Sequence, residues 1–84
     1  MNILKIYRCK QCNCELVEDY LLKLGYKWNN KKPNEKITIS YFTRNSKYVF
    51  FYIRIDNSIT YSSSLDRNRK YIDIERIFKL KKLI

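Results

Sequence analysis

Ile37-Thr38-Ile39-Ser40-Tyr41-Phe42-Thr43, Lys47-Tyr48-Val49-Phe50-Phe51-Tyr52-Ile53-Arg54-Ile55 and Ile59-Thr60-Tyr61 are three runs dense in β-branched and aromatic residues. They are separated by Arg44-Asn45-Ser46 and Asp56-Asn57-Ser58, residue types that favour tight turns. Their period-two alternation predicts strands joined as hairpins, and so an antiparallel β-meander. A weaker alternation at Tyr26-Lys27-Trp28 brings the expected number of strands to three or four. Upstream, Ile3-Leu4-Lys5-Ile6-Tyr7-Arg8 reads as a short strand with Leu4, Ile6 and Arg8 on one face.

Between that strand and the meander the period is helical. Leu16, Val17, Tyr20, Leu21 and Leu24 recur at the spacing of one helix face, with Glu15, Glu18, Asp19 and Lys23 on the other. Asn13 is a suitable N-cap, and Gly25, the chain's single glycine, falls where a helix end requires positive φ. A helix over about residues 14 to 24 follows. Beyond the meander, residues 62–70 read as a polar connection. Asp73 then caps a last helix with Ile74, Ile77 and Phe78 on one face. The expectation is one α+β domain over residues 1–84: a meander of three to four strands packed with an N-terminal and a C-terminal helix.

Eighteen Lys and Arg against eight Asp and Glu, with no His, give a formal net charge of +10. Charge of this density sets up a surface potential that draws an anionic partner, such as nucleic acid or an acidic protein face. Ile, Lys, Asn, Tyr and Phe supply just over half of the chain, the set that AT-rich codons encode, so codon usage accounts for part of the lysine. It does not account for the scarcity of acids. No apolar run is long enough for a signal peptide or a bilayer span, and the three cysteines argue for reduced thiols or metal ligation over a disulfide framework. A soluble intracellular protein is expected.

The absence of His removes the ordinary general base near neutral pH and every Ser-His or Cys-His pair, and one glycine cannot build a phosphate loop. An enzyme is therefore not expected. Cys9, Cys12 and Cys14 have the C-x-x-C spacing of half a zinc knuckle. No second pair follows downstream, so either these thiols are small buried side chains or a zinc site is completed from elsewhere. Basic residues interleaved with aromatics mark the expected binding surface: Lys27, Trp28, Lys31, Lys32 and Lys36 after the first helix, with Trp28 placed to stack on a base. Arg67, Arg69 and Lys70 form a second cluster, and Arg44 and Arg54 flank the central strand. If Val49, Phe51, Ile53 and Ile55 face the helices, then Phe42, Tyr48, Phe50, Tyr52 and Arg54 form either an exposed aromatic platform or a second core covered by the other helix.

The segment Leu21-Leu22-Lys23-Leu24-Gly25-Tyr26-Lys27-Trp28-Asn29, with Ile59-Thr60-Tyr61-Ser62 and Ile72-Asp73-Ile74-Glu75-Arg76-Ile77-Phe78, resembles small accessory proteins of bacteriophages and mobile elements. The likeness covers about residues 16 to 80. Asn30 stands where a glycine is usual in that group, and the cysteine knuckle is not one of its features. The resemblance implies an α+β domain in the host cytoplasm with a viral accessory role, anti-CRISPR inhibition of nucleic-acid-guided defence included. The leading expectation is a non-enzymatic binder that occludes nucleic acid or a host complex such as a CRISPR effector. The alternatives are a zinc-knuckle DNA-binding regulator and a self-associating structural module.

Overall fold

The computed structural model describes residues 3–65 and 69–82. Elements run β1 (Ile3–Lys10), a 3-10 turn (Gln11–Asn13), α1 (Cys14–Lys23), β2 (Lys27–Trp28), α2 (Ile39–Phe42), β3 (Tyr48–Arg54), β4 (Ser58–Ser62), β5 (Ile72–Asp73) and α3 (Ile74–Leu80). The α+β class is as expected, but the sheet is mixed rather than an antiparallel meander. Its five strands lie in the order β2-β4-β3-β1-β5. β1 and β4 flank β3 antiparallel, whereas β5 joins β1 and β2 joins β4 in parallel.

Helix α1 ends as its sequence predicts. Gly25 has φ of +102°, its N–H donates to Leu22 O, and Tyr26 N–H donates to Leu21 O, the paired bonds of a Schellman end. Its start differs, because the Asn13 side chain makes no cap and instead donates to the Glu75 carboxylate. The buried face also differs: Cys14, Val17, Glu18, Leu21 and Leu22 point inward, while Leu16 and Leu24 are exposed.

Glu18 explains both that rotation and the loss of the expected strand over 37–43. Its carboxylate is fully buried and accepts three bonds: from Trp28 Nε1 at 2.8 Å, from Ile37 N at 2.8 Å and from Ile39 N at 3.2 Å. Thr38, between the two backbone donors, is left-handed with φ of +56°, a turn that brings the N–H groups of Ile37 and Ile39 onto one carboxylate. With these donors turned inward the segment has no ladder to offer a neighbour, and it continues as the short helix α2. Thr43 closes α2 by donating its hydroxyl to Ile39 O at 2.9 Å.

Alternation places Cys9, Val49, Phe51, Ile53 and Ile59 on one side of the sheet, where they join Val17, Leu21, Trp28, Ile39, Ile74 and Phe78 in one core. All three helices contribute to that core, so they share one face of the sheet. Asp73 caps α3 as predicted, accepting from Glu75 N at 3.1 Å. The turn after β3 is also as predicted. Asp56 Oδ1 accepts from Ser58 N and Ser58 Oγ, bonds that hold its carboxyl below the usual range, and Asn57 takes a positive φ.

Replacing Glu18 with Ala strands two backbone N–H groups and an indole N–H, at roughly 1–3 kcal/mol each. Denaturant unfolding of Glu18→Ala should show a stability loss of about 3 kcal/mol or more, with Trp28 emission moving to the red. Coincident unfolding curves for the two proteins would contradict the anchoring role.

Candidate anion-binding surface

Residues 29–38 connect β2 to α2 at one edge of the sheet and carry most of the first basic cluster. Asn30 and Asn34 supply left-handed turns, Lys31 N donates to Trp28 O, and Glu35 N donates to Lys32 O. Lys27, Lys31, Lys32 and Lys36 are all exposed. Lys31 pairs with Glu35 at 3.7 Å, and Lys36 pairs with Asp19 at 2.8 Å, which holds the Lys36 ammonium above its ordinary pKa. Among the described residues Lys27 and Lys32 have no acidic partner.

Trp28 does not serve as a stacking platform. It is 3% exposed, with its N–H on Glu18 and its ring centroid 6.0 Å from those of Phe51 and Tyr61. The indole is a core side chain because its N–H has a buried acceptor to reach.

The second basic cluster lies at the other edge. Arg69 and Lys70 are exposed just before β5, and Arg67 falls outside the described residues. β2 and β5 are four strand spacings apart, about 19 Å, so the two clusters are separate surfaces. Arg44 is exposed beyond α2, 5.0 Å from the Tyr41 ring centroid, and Arg54 is half-buried at the end of β3. The expected aromatic row resolves in an intermediate way: among the described residues no helix covers it, yet it is not an open platform. Phe50 is buried with its centroid 6.0 Å from that of Tyr71, Tyr48 and Tyr52 are half-buried, and Phe42 lies on α2 rather than on the sheet.

The cysteines are dispersed by exposure. Cys9 is buried on the core face of β1, Cys12 is exposed on the 3-10 turn, and Cys14 is buried with Sγ 3.6 Å from Thr43 Oγ1. Among the described residues no three Cys, Asp or Glu side chains come together as a metal site. Burial pushes the Cys9 and Cys14 thiols upward in pKa, Cys9 strongly, so both stay protonated near neutral pH.

The structure assembles a further group of cations that the sequence alone does not connect. Arg8 and Lys10 lie on the face of β1 away from the core, and Arg76 and Lys79 lie one turn apart on α3. With Tyr48 and Asp73 they line a cleft of about 400 Å³. The Arg8 Cζ stands 4.7 Å from the Tyr48 ring centroid and 4.6 Å from that of Tyr71. Its Nη2 is 3.8 Å from Asp73 Oδ2, longer than a hydrogen bond, and its Nε is buried with no hydrogen-bond partner among the described residues. The available signals were the alternation that sets Arg8 and Lys10 on one side of β1, and the three-residue spacing of Arg76 and Lys79. The chain matches no protein-family model, no curated protein and no solved structure.

A thiol-reactive reagent should label Cys12 rapidly in the folded protein and reach Cys9 and Cys14 only on unfolding. Three thiols reacting at one rate under native conditions would overturn the burial assignment.

Proposed function

We propose that the protein is a non-catalytic binder of an anionic partner, acting as a phage-type accessory factor that occludes nucleic acid or a nucleic-acid-bearing defence complex such as a CRISPR effector. The observation that carries this reading is the unequal use of acids and bases. Of the seven carboxylate side chains among the described residues, six are engaged within the fold: Glu18, Asp19, Glu35, Asp56, Asp73 and Glu75. Of the seventeen described Lys and Arg side chains, only Arg8, Lys31 and Lys36 form ion pairs with described carboxylates.

The acids are therefore largely used within the fold, while most of the cations have no ion pair among the described residues. That arrangement favours a polyanion, whose condensed counterions are released on binding. The lack of His and the raised thiols of Cys9 and Cys14 support occlusion rather than chemistry. A zinc-knuckle regulator has less support, because the three cysteines differ in exposure and do not converge.

Anisotropy of labelled single-stranded and duplex oligonucleotides tests the reading. Affinity should fall log-linearly with salt, by about 10- to 1000-fold between 50 and 200 mM for two to six phosphate contacts. Charge reversal at Lys27, Lys32, Arg69 and Lys70, all exposed, should weaken binding while leaving the melting temperature unchanged. Absent or salt-independent binding would count against the nucleic-acid form of the proposal, leaving co-purification with a host complex as the remaining support to seek.

A further inference from the structure

We propose that the cleft between β1 and α3 is a phosphate-binding site seated on the Arg8 guanidinium. The inference deepens the reading above and rests on it for one point only, the backbone phosphodiester as the natural source of the phosphate.

Arg8 is held in a way that ordinary surface arginines are not. Tyr48, at the start of β3, and Tyr71, just before β5, come from the two strands that flank β1, and each places its ring within 4.7 Å of the guanidinium carbon. Rings on either side occupy the guanidinium by cation–π attraction and leave its N–H edge as the part able to meet a ligand. That edge is a planar fork matched to two oxygens of a phosphate. The Arg8 Nε is buried with no hydrogen-bond partner among the described residues while the side chain as a whole keeps a quarter of its surface, so the terminal Nη groups are the fork that a ligand meets. Asp73 Oδ2 stands 3.8 Å from Nη2, too distant to accept a hydrogen bond, and the other Asp73 oxygen already accepts from Glu75 N.

The surroundings supply the remaining charge. Lys10, Arg76 and Lys79 line the same cleft, are exposed, and have no ion pair among the described residues. Glu75, the second carboxylate of the lining, is engaged by the Asn13 amide. Four cations thus meet two carboxylates, which leaves the lining with an excess of positive charge. The volume of about 400 Å³ admits a phosphate with its ester substituents. Arg69 and Lys70 lie within two residues of Tyr71 and extend the positive surface along the chain that leads into β5.

The test follows the Arg8 Nε–H signal of the ¹⁵N-labelled full chain during titration with inorganic phosphate, at ionic strength held constant with sodium chloride. A saturable shift is expected. Lys10→Gln/Lys79→Gln changes only exposed side chains and should weaken phosphate binding about ten-fold with an unchanged amide spectrum elsewhere. A signal that stays still, or drifts without saturating, overturns the site, as does undiminished affinity in the double variant. A second titration uses a single-stranded oligonucleotide lacking terminal phosphate. If it moves the same signal, the backbone phosphodiester is the source. If only inorganic phosphate does so and the oligonucleotide does not bind, the cleft stands as a site for free phosphate or a monoester, and the nucleic-acid reading falls. If the oligonucleotide binds while Arg8 is unmoved by either titrant, the cleft falls and the reading stands.

Discussion

A carboxylate in the middle of the core organises this fold. Glu18 lies at a position of α1 that helical geometry assigns to an apolar side chain, and it forms no ion pair among the described residues. Removing a carboxylate from water is costly unless strong donors replace the solvent, so its charge requires the three N–H groups that converge on it. Meeting that requirement ties together three parts of the chain distant in sequence. It locks Trp28 and hence β2 against α1, sets the backbone of 37–39, and starts α2 where the alternation alone predicts a strand. In an 84-residue domain, where burial leaves little surplus stability, a set of charge-assisted bonds of this kind is a substantial share of what favours one arrangement over others.

The same economy shapes the surface. With few acids in the chain and most of those engaged in caps, turns and pairs, the outward charge is set almost entirely by Lys and Arg. Placing all three helices on one side of the sheet leaves the other side to the strands' alternate residues. There the basic and aromatic members of β1 and β3 sit next to each other: Arg8 pairs in register with Phe50, and Lys10 with Tyr48. The arrangement is neither a second core nor a bare aromatic platform. It is a shallow layer in which tyrosine rings orient a guanidinium and lysines rim the opening.

Much of the local structure was legible because the cues act over a few residues. Gly25 at a helix end, Asp56-Asn57-Ser58 between two strands and Asp73 ahead of Ile74 each satisfy nearby backbone groups, and each does so in the fold as read. Ile37-Thr38-Ile39-Ser40-Tyr41-Phe42-Thr43 was misleading for the opposite reason: its pattern suits a strand, but a carboxylate nineteen residues upstream of Ile37 binds its donors. The lysines around Trp28 suggest a stacking surface, yet an acceptor ten residues away draws the indole inward. The inward-facing set Cys14, Val17, Glu18, Leu21 and Leu22 has faultless helical spacing, and only the assumption that glutamate faces water hid it.

The amino-acid order alone therefore determined the class of the domain, the span of α1, the β3–β4 hairpin, the cap of α3 and the strong positive charge, all of which follow from composition or from contacts between near neighbours. Tertiary structure decided which strands adjoin, which face of α1 is buried, that residues 39–42 are helical, and that Arg8, Lys10, Arg76 and Lys79 surround one cleft while Lys27, Lys31, Lys32 and Lys36 occupy the far edge. The division has a physical cause. Turns and caps are satisfied within a few residues, whereas strand order and the burial of a charge depend on groups that meet only once the chain has closed on itself.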